Sequence, residues 1–130
     1  MICLLGSPVA HSMSPAMHNE AFAELGLDYR YLAFDVKEGE LAGVMDSFRK
    51  MGVRGFNLTM PLKTKAVALC DRLSPAAEIA GSVNTVVFEE DGTTTGHTTD
   101  GIGFTESARQ EGVDFRGQKV TLLGTGGAGI

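Results

Sequence analysis

Short apolar runs, several ending at glycine, alternate along this chain with segments whose apolar residues recur every three or four positions. That alternation constrains the fold more than any other feature, because strands interleaved with helices pack as an α/β domain around a mostly parallel sheet. The first run is ICLLG at 2–6. Ser14-Pro15 then supplies a helix N-cap with proline at the first helical position, and Met17, Ala21, Phe22 and Leu25 fall on one face of a helix stopped by Gly26. YRYLAFDV at 29–36 reads as a second strand. Its Asp35, three residues before Glu38, resembles a capping box for a helix that carries Leu41, Val44, Met45 and Phe48 and closes at Gly52.

VRGFNL at 53–58 reads as a third strand, a short helix follows from Lys63 to about Leu73, and Ser74-Pro75 opens another helical turn. SVNTVVFEE (82–90) and TTTGHTT (93–99) flank Asp91-Gly92, a strong hairpin signal. A helix is predicted from Asp100 to Gln110, ending at Gly112. Last comes KVTLLGTGGAGI, an apolar strand opening into a glycine-rich turn. No repeat or low-complexity linker interrupts this order.

The chain's 130 residues suffice for one domain with a real core. A hydrophobic fraction of 43% against 21% charged residues excludes a disordered or fibrous chain. The net charge of -5, without a Lys/Arg block, argues against nucleic acid or an anionic membrane as the main partner. It leaves room for a small anionic ligand, since one well-placed lysine outweighs the net charge locally. No apolar run approaches the ~18 residues of a spanning helix, and MICLLGSP lacks the basic lead-in of a signal peptide. Cys3 and Cys70 are expected to be reduced thiols, His11, His18 and His97 lack metal-ligand spacing, and a cytoplasmic location is the default. The methionines read as core filler.

Polar residues gather where strands are predicted to end: Ser12 and Ser14, Asn57 to Lys63, Asn84 with Thr85, and Thr99 with Asp100. In open α/β sheets ligands bind beyond the carboxyl ends of the strands, so these groups can converge. The set suits a small polyhydroxy acid. Serine hydroxyls donate to a carboxylate, Thr59 and Asn84 serve ring hydroxyls, and Lys63 with Asp100 forms one coupled proton-transfer unit. Each also has a plainer reading: Ser14 as a helix cap, Lys63 as a solvated residue of a first helical turn, Asp100 as the cap of the following helix. Asn84 is harder to explain that way, because strands disfavour asparagine unless its amide is used. GTGGAG (124–129) matches the first turn of a dinucleotide-binding unit and equally matches a flexible tail.

Five ordered stretches, GSPVAHSMSPAMHN (6–19), GFNLTMPLK (55–63), AGSVNT (80–85), GHTTDG (96–101) and GTGGAG (124–129), resemble the shikimate dehydrogenase family. The resemblance implies a three-layer α/β/α substrate-binding domain over residues 1–112. Residues 113–130 would then be the first strand and glycine-rich turn of a Rossmann NADP-binding domain, with Gly124, Gly126, Gly127 and Gly129 at the cofactor. It implies NADPH-dependent, reversible reduction of 3-dehydroshikimate to shikimate, on the route to chorismate and aromatic amino acids. Ser12 and Ser14 look like carboxylate ligands, Thr59, Lys63, Asn84 and Asp100 like ligands of the ring hydroxyls, and Lys63 with Asp100 like the catalytic pair. On this resemblance the 130-residue chain alone is expected to be inactive, because most of the nucleotide site would lie beyond it. A non-catalytic module for shikimate- or quinate-like acids, and a quinate-acting paralogue, are the alternatives. Thr98 stands where the family usually has Asn and Ser82 where Ala is usual, both expected to alter local hydrogen bonding. An open cleft and an unpaired terminal strand leave monomer and homodimer equally open.

Overall fold

In the computed structural model, which describes residues 1–124, β1 (Ile2–Gly6) runs through the interior because both of its faces are apolar. Cys3 and Leu5 are buried on one side of the sheet and Leu4 on the other. Six strands form one sheet in the order β2-β1-β3-β5-β6-β4. β2 (Tyr31–Asp35) and β3 (Gly55–Leu58) flank β1 in parallel, pairing Leu4 with Ala33 and with Asn57. β5 (Thr85–Phe88) runs antiparallel between β3 and β6 (Thr94–His97), and the two-residue β4 (Arg72–Leu73) lies parallel to β6 at the edge. The carboxyl ends of β1, β3 and β6 therefore share one rim with the amino end of β5.

Helices cover both faces of this mixed, mostly parallel sheet. On one, α2 (Leu41–Lys50) buries Leu41, Met45 and Phe48, and Phe48 meets Phe56 edge-on at 6.0 Å. α3 (Leu62–Lys65) and α4 (Pro75–Ala80) add Leu62 and Ala77 to the same cluster. Burying each such large side chain contributes roughly 1.5–3 kcal/mol. On the other face α1 (Ser14–Glu24) covers β2, with the His18 ring stacked on Tyr31 at 4.3 Å and Phe22 packed on the Leu4–Val9–Tyr31 cluster. α5 (Asp100–Gln110) buries none of its residues. No helix among the described residues is long and apolar enough to cross a membrane.

Several sequence expectations are corrected. Met17 and Leu25 do not face the sheet, being 61% and 71% exposed. α1 is instead fixed by Asn19, whose side chain accepts the Tyr31 N–H and donates to the Tyr31 carbonyl, both at 2.9 Å, which turns residues 18, 19 and 22 inward. Ser14 does not cap α1: it lies inside the helix, and its own N–H is held by Ser12 Oγ at 3.2 Å. The capping box forms two residues later than expected, Glu40 accepting the Lys37 N–H at 2.9 Å.

The helix expected from Lys63 to Leu73 stops after Lys65, passes through a 3-10 turn at Ala66–Ala68, and gives way to β4. Asp71 explains the change, since its carboxylate accepts both the N–H and the hydroxyl of Thr94 at 2.7 and 2.8 Å and draws the segment onto β6. Of the methionines expected in the core only Met45 is fully buried, and Met13, Met51 and Met60 stand exposed. Residues 113–124 contain no strand. A strand persists only as part of a ladder, and Val120, Leu122 and Leu123 are exposed with no partner among the described residues. Gly126, Gly127 and Gly129 lie outside the described residues.

Candidate active site

The rim where β1, β3 and β6 end and β5 begins carries the polar residues singled out from the sequence. β3 delivers its last residue, Leu58, beside Asn84, whose carbonyl accepts the Leu58 N–H at 2.8 Å. The next N–H, that of Thr59, is held by the Leu5 carbonyl at 2.9 Å, and the Met60 carbonyl accepts the Ser7 N–H at 3.0 Å. The turn after β3 is thus tied to the end of β1. Gly6 makes this approach possible: a Cβ there would collide with the Thr59 methyl and sit 2.9 Å from the Met60 carbonyl oxygen.

Behind that turn Leu62 is fully buried, and the Lys63 carbonyl accepts the Val83 N–H at 2.9 Å. Anchored on both sides, Lys63 extends its ammonium to Asp100, with Nζ 2.7 Å from Oδ2. Its side chain is only 15% exposed, whereas that of Asp100 is 44% exposed and keeps the pair in contact with solvent. An ion pair that open to water adds at most about 1 kcal/mol to stability, which makes fold maintenance a weak reason for it.

Asn84, 8% exposed, joins the pair from the strand side. Its Nδ2 donates to Asp100 Oδ1 at 2.7 Å and to Thr99 Oγ1 at 2.9 Å, while its Oδ1 accepts the Thr99 N–H at 3.2 Å. Both carboxylate oxygens of Asp100 are therefore engaged, one by Lys63 and one by Asn84.

Ser12, Ser14 and Thr59 line a separate stretch of the rim, a cavity of about 370 Å³ whose remaining wall includes Val9 and His11. Ser12 Oγ already accepts the Ser14 N–H, which leaves the Ser12 hydroxyl proton free to donate into the cavity. The six residues expected at the substrate thus fall into two groups: a hydroxyl-lined cavity, and a hydrogen-bonded Lys63–Asp100–Asn84 cluster. Thr59 and Lys63 leave the same turn and connect the groups. The chemistry on offer is donation to an anion at one end and holding or moving a proton at the other.

Residues 4–86 match the family model described as the shikimate dehydrogenase substrate binding domain. This chain belongs to that family. A shikimate dehydrogenase (NADP(+)) of Listeria monocytogenes is 53% identical over 128 residues, which is 98% of this chain and 44% of that protein. Among solved structures, shikimate 5-dehydrogenase from Listeria monocytogenes in complex with shikimate and NAD aligns with a TM-score of 0.84 at 53% identity, over 88% of this chain and 39% of that one. The Thermus thermophilus enzyme in complex with shikimate aligns at 0.89 and 43% identity, over 98% and 48%. The chain spans less than half the length of these shikimate dehydrogenases.

Ser82, expected to alter local hydrogen bonding, is 1% exposed, so any effect on a ligand does not come by contact. Thr99 and Thr85 were placed in the polar clusters by sequence but given no role of their own, and both bond the Asn84 side chain. Their adjacency to Asp100 and Asn84 was the available signal. Of the glycine-rich motif only Gly124 is described, with φ of 94°, a conformation open to glycine. One glycine neither fits nor excludes a dinucleotide.

Proposed function

We propose that this chain is the substrate-binding part of an NADP-dependent shikimate dehydrogenase, which reversibly reduces 3-dehydroshikimate to shikimate. The observation that carries the reading is the Lys63–Asp100 contact of 2.7 Å, braced by Asn84 on the rim that also bears the Ser12–Ser14–Thr59 cavity. A ring carboxylate is held by the Ser12 and Ser14 hydroxyls, and Thr59, Lys63, Asn84 and Asp100 take the ring hydroxyls. NADPH, when bound, would supply the hydride, which no side chain can. In reduction the Lys63–Asp100 unit delivers a proton to the carbonyl oxygen as carbon gains the hydride, and in oxidation it removes that proton. The remaining polar groups hold the ring in register, so that the proton and the carbonyl oxygen meet without a further search.

The domain boundary is placed near residue 112, supported by the end of α5 at Gln110 and the positive φ of Gly112. A reducing cytosol suits the free Cys3 and Cys70 thiols. The test is titration of the chain with shikimate, and with quinate alongside, followed by NMR. Wild type is expected to bind shikimate, and Lys63→Ala to lose at least about tenfold in affinity with its circular dichroism unchanged, since a charged hydrogen bond is worth about 1.5–3 kcal/mol. Undiminished binding by Lys63→Ala removes Lys63 from the site. Shikimate turnover with NADP by the 130 residues alone would refute the need for a further cofactor domain.

A further inference from the structure

Behind Asn84 the hydrogen bonds do not stop. Thr85 Oγ1 donates to Asn84 Oδ1 at 3.0 Å, Asn57 Nδ2 donates to Thr85 Oγ1 at 3.0 Å, and the Tyr31 hydroxyl donates to Asn57 Oδ1 at 2.7 Å. The line starts at a tyrosine 1% exposed on β2, passes over β1 to β3 and β5, and ends at Asp100 and Lys63. It is built by register: Asn57 pairs with Leu4 on one side and Thr85 on the other, which sets the Asn57 and Thr85 side chains on one face of the sheet.

We propose that Tyr31, Asn57 and Thr85 are positioning residues that lock the Asn84 amide, and through it the Asp100 carboxylate, in the orientation the Lys63 pair uses. This rests on reading Lys63–Asp100 as the proton-transfer unit. Groups with only one possible role fix the direction of every bond. Asp100, as a carboxylate, only accepts, and the Thr99 N–H only donates, so Asn84 must present Nδ2 to the first and Oδ1 to the second. With Oδ1 turned inward, Thr85 must donate to it and is left with lone pairs for Asn57. The Asn84 backbone carbonyl, 3.4 Å from Asn57 Nδ2, selects the same Asn57 orientation, and Asn57 Oδ1 then requires a donor, which is the Tyr31 hydroxyl. A flipped Asn84 would set its oxygen against the Asp100 carboxylate. The Tyr31 phenol is protonated at neutral pH and is therefore able to donate, and burial pushes its pKa further up, to about 12.

A simple cross-strand brace would stabilise the sheet without caring which way the amide points. The two roles separate in the Asn84 side-chain NH2 resonances of the 15N-labelled chain. Locked wild type is expected to show two well-separated proton signals that exchange slowly with solvent. Thr85→Val and Tyr31→Phe should collapse that separation, speed exchange, and weaken shikimate binding about fivefold, the scale of one neutral hydrogen bond. Thr85→Ser, which keeps the hydroxyl, should restore both. Tyr31→Phe, buried and out of reach of any ligand, decides the matter if Thr85→Val does not fold. Unchanged Asn84 signals in a folded Tyr31→Phe or Thr85→Val chain overturn the proposal, even if the melting temperature falls. A wild type that shows the locked amide but no shikimate affinity overturns the functional reading and leaves the lock on Asn84 standing.

Discussion

Gly6 is the residue on which the two halves of the rim depend, since β1 and the Thr59 turn touch there without room for a side chain. Gly6→Ala is expected to push the Thr59 methyl and the Met60 carbonyl outward, at a cost of roughly 1–3 kcal/mol as in other overpacked sites. A thermal melt reads that cost, and a shikimate titration should show a parallel fall in affinity because Thr59 leaves its cavity. A melt that falls while affinity holds would detach Thr59 from the ligand. Gly6 was legible in the sequence only as the end of a strand; its steric reason lies in a residue far along the chain. Lys63, Asn84 and Asp100 were more legible, because polar groups at strand ends are conspicuous. Tyr31 was not, since a buried aromatic on a strand reads as core, and only the register reveals what its hydroxyl reaches.

At the level of elements the two Ser-Pro pairs separate caps from ligands. Ser74 caps α4, its Oγ accepting the Ala77 N–H at 3.3 Å, whereas Ser14 sits inside α1 and lines the cavity. Ser74→Ala should therefore lower stability by about 1 kcal/mol and leave shikimate affinity alone. Ser14→Ala should do the reverse, and parallel denaturant melts and titrations of the two variants check the contrast. Both serines stand before a proline at a helix start, so local pattern alone offers each as a cap, and it was the resemblance that set Ser14 apart as a ligand. α2 was readable because Leu41, Val44, Met45 and Phe48 repeat at helical spacing, and the β5–β6 hairpin because Asp91-Gly92 marks its turn. β4 was not: two residues carry no period, and what makes them a strand is the grip of Asp71 on Thr94 across the sheet edge.

Over the whole molecule, three groups shielded from water that prefer to stay neutral contribute to stability on the alkaline side. Tyr31 is pushed up from 10.0 to about 12, mainly by burial and further by the charge a Cys3 thiolate would carry; burial likewise moves Cys3 and Cys70 from 9.0 to about 11. In each case the folded chain holds the proton more tightly than the unfolded one. Their contribution is therefore complete below about pH 9 and is lost as pH rises through 11 and then 12. Asp71 works in the opposite direction at the acid end. The Thr94 N–H and hydroxyl hold its carboxyl below the usual range, so its contribution is present above that range and lost as pH falls through the lowered value. Melting temperature measured against pH should accordingly decline above pH 9 in wild type. Cys70→Ala should make that decline shallower between 9 and 11, leaving the share of Cys3, and Tyr31→Phe should make it shallower between 10 and 12. An alkaline limb identical in wild type and both variants would mean that these groups titrate alike in the folded and unfolded chain, and that the sheet interior is wetter around Tyr31 than its 1% exposure implies.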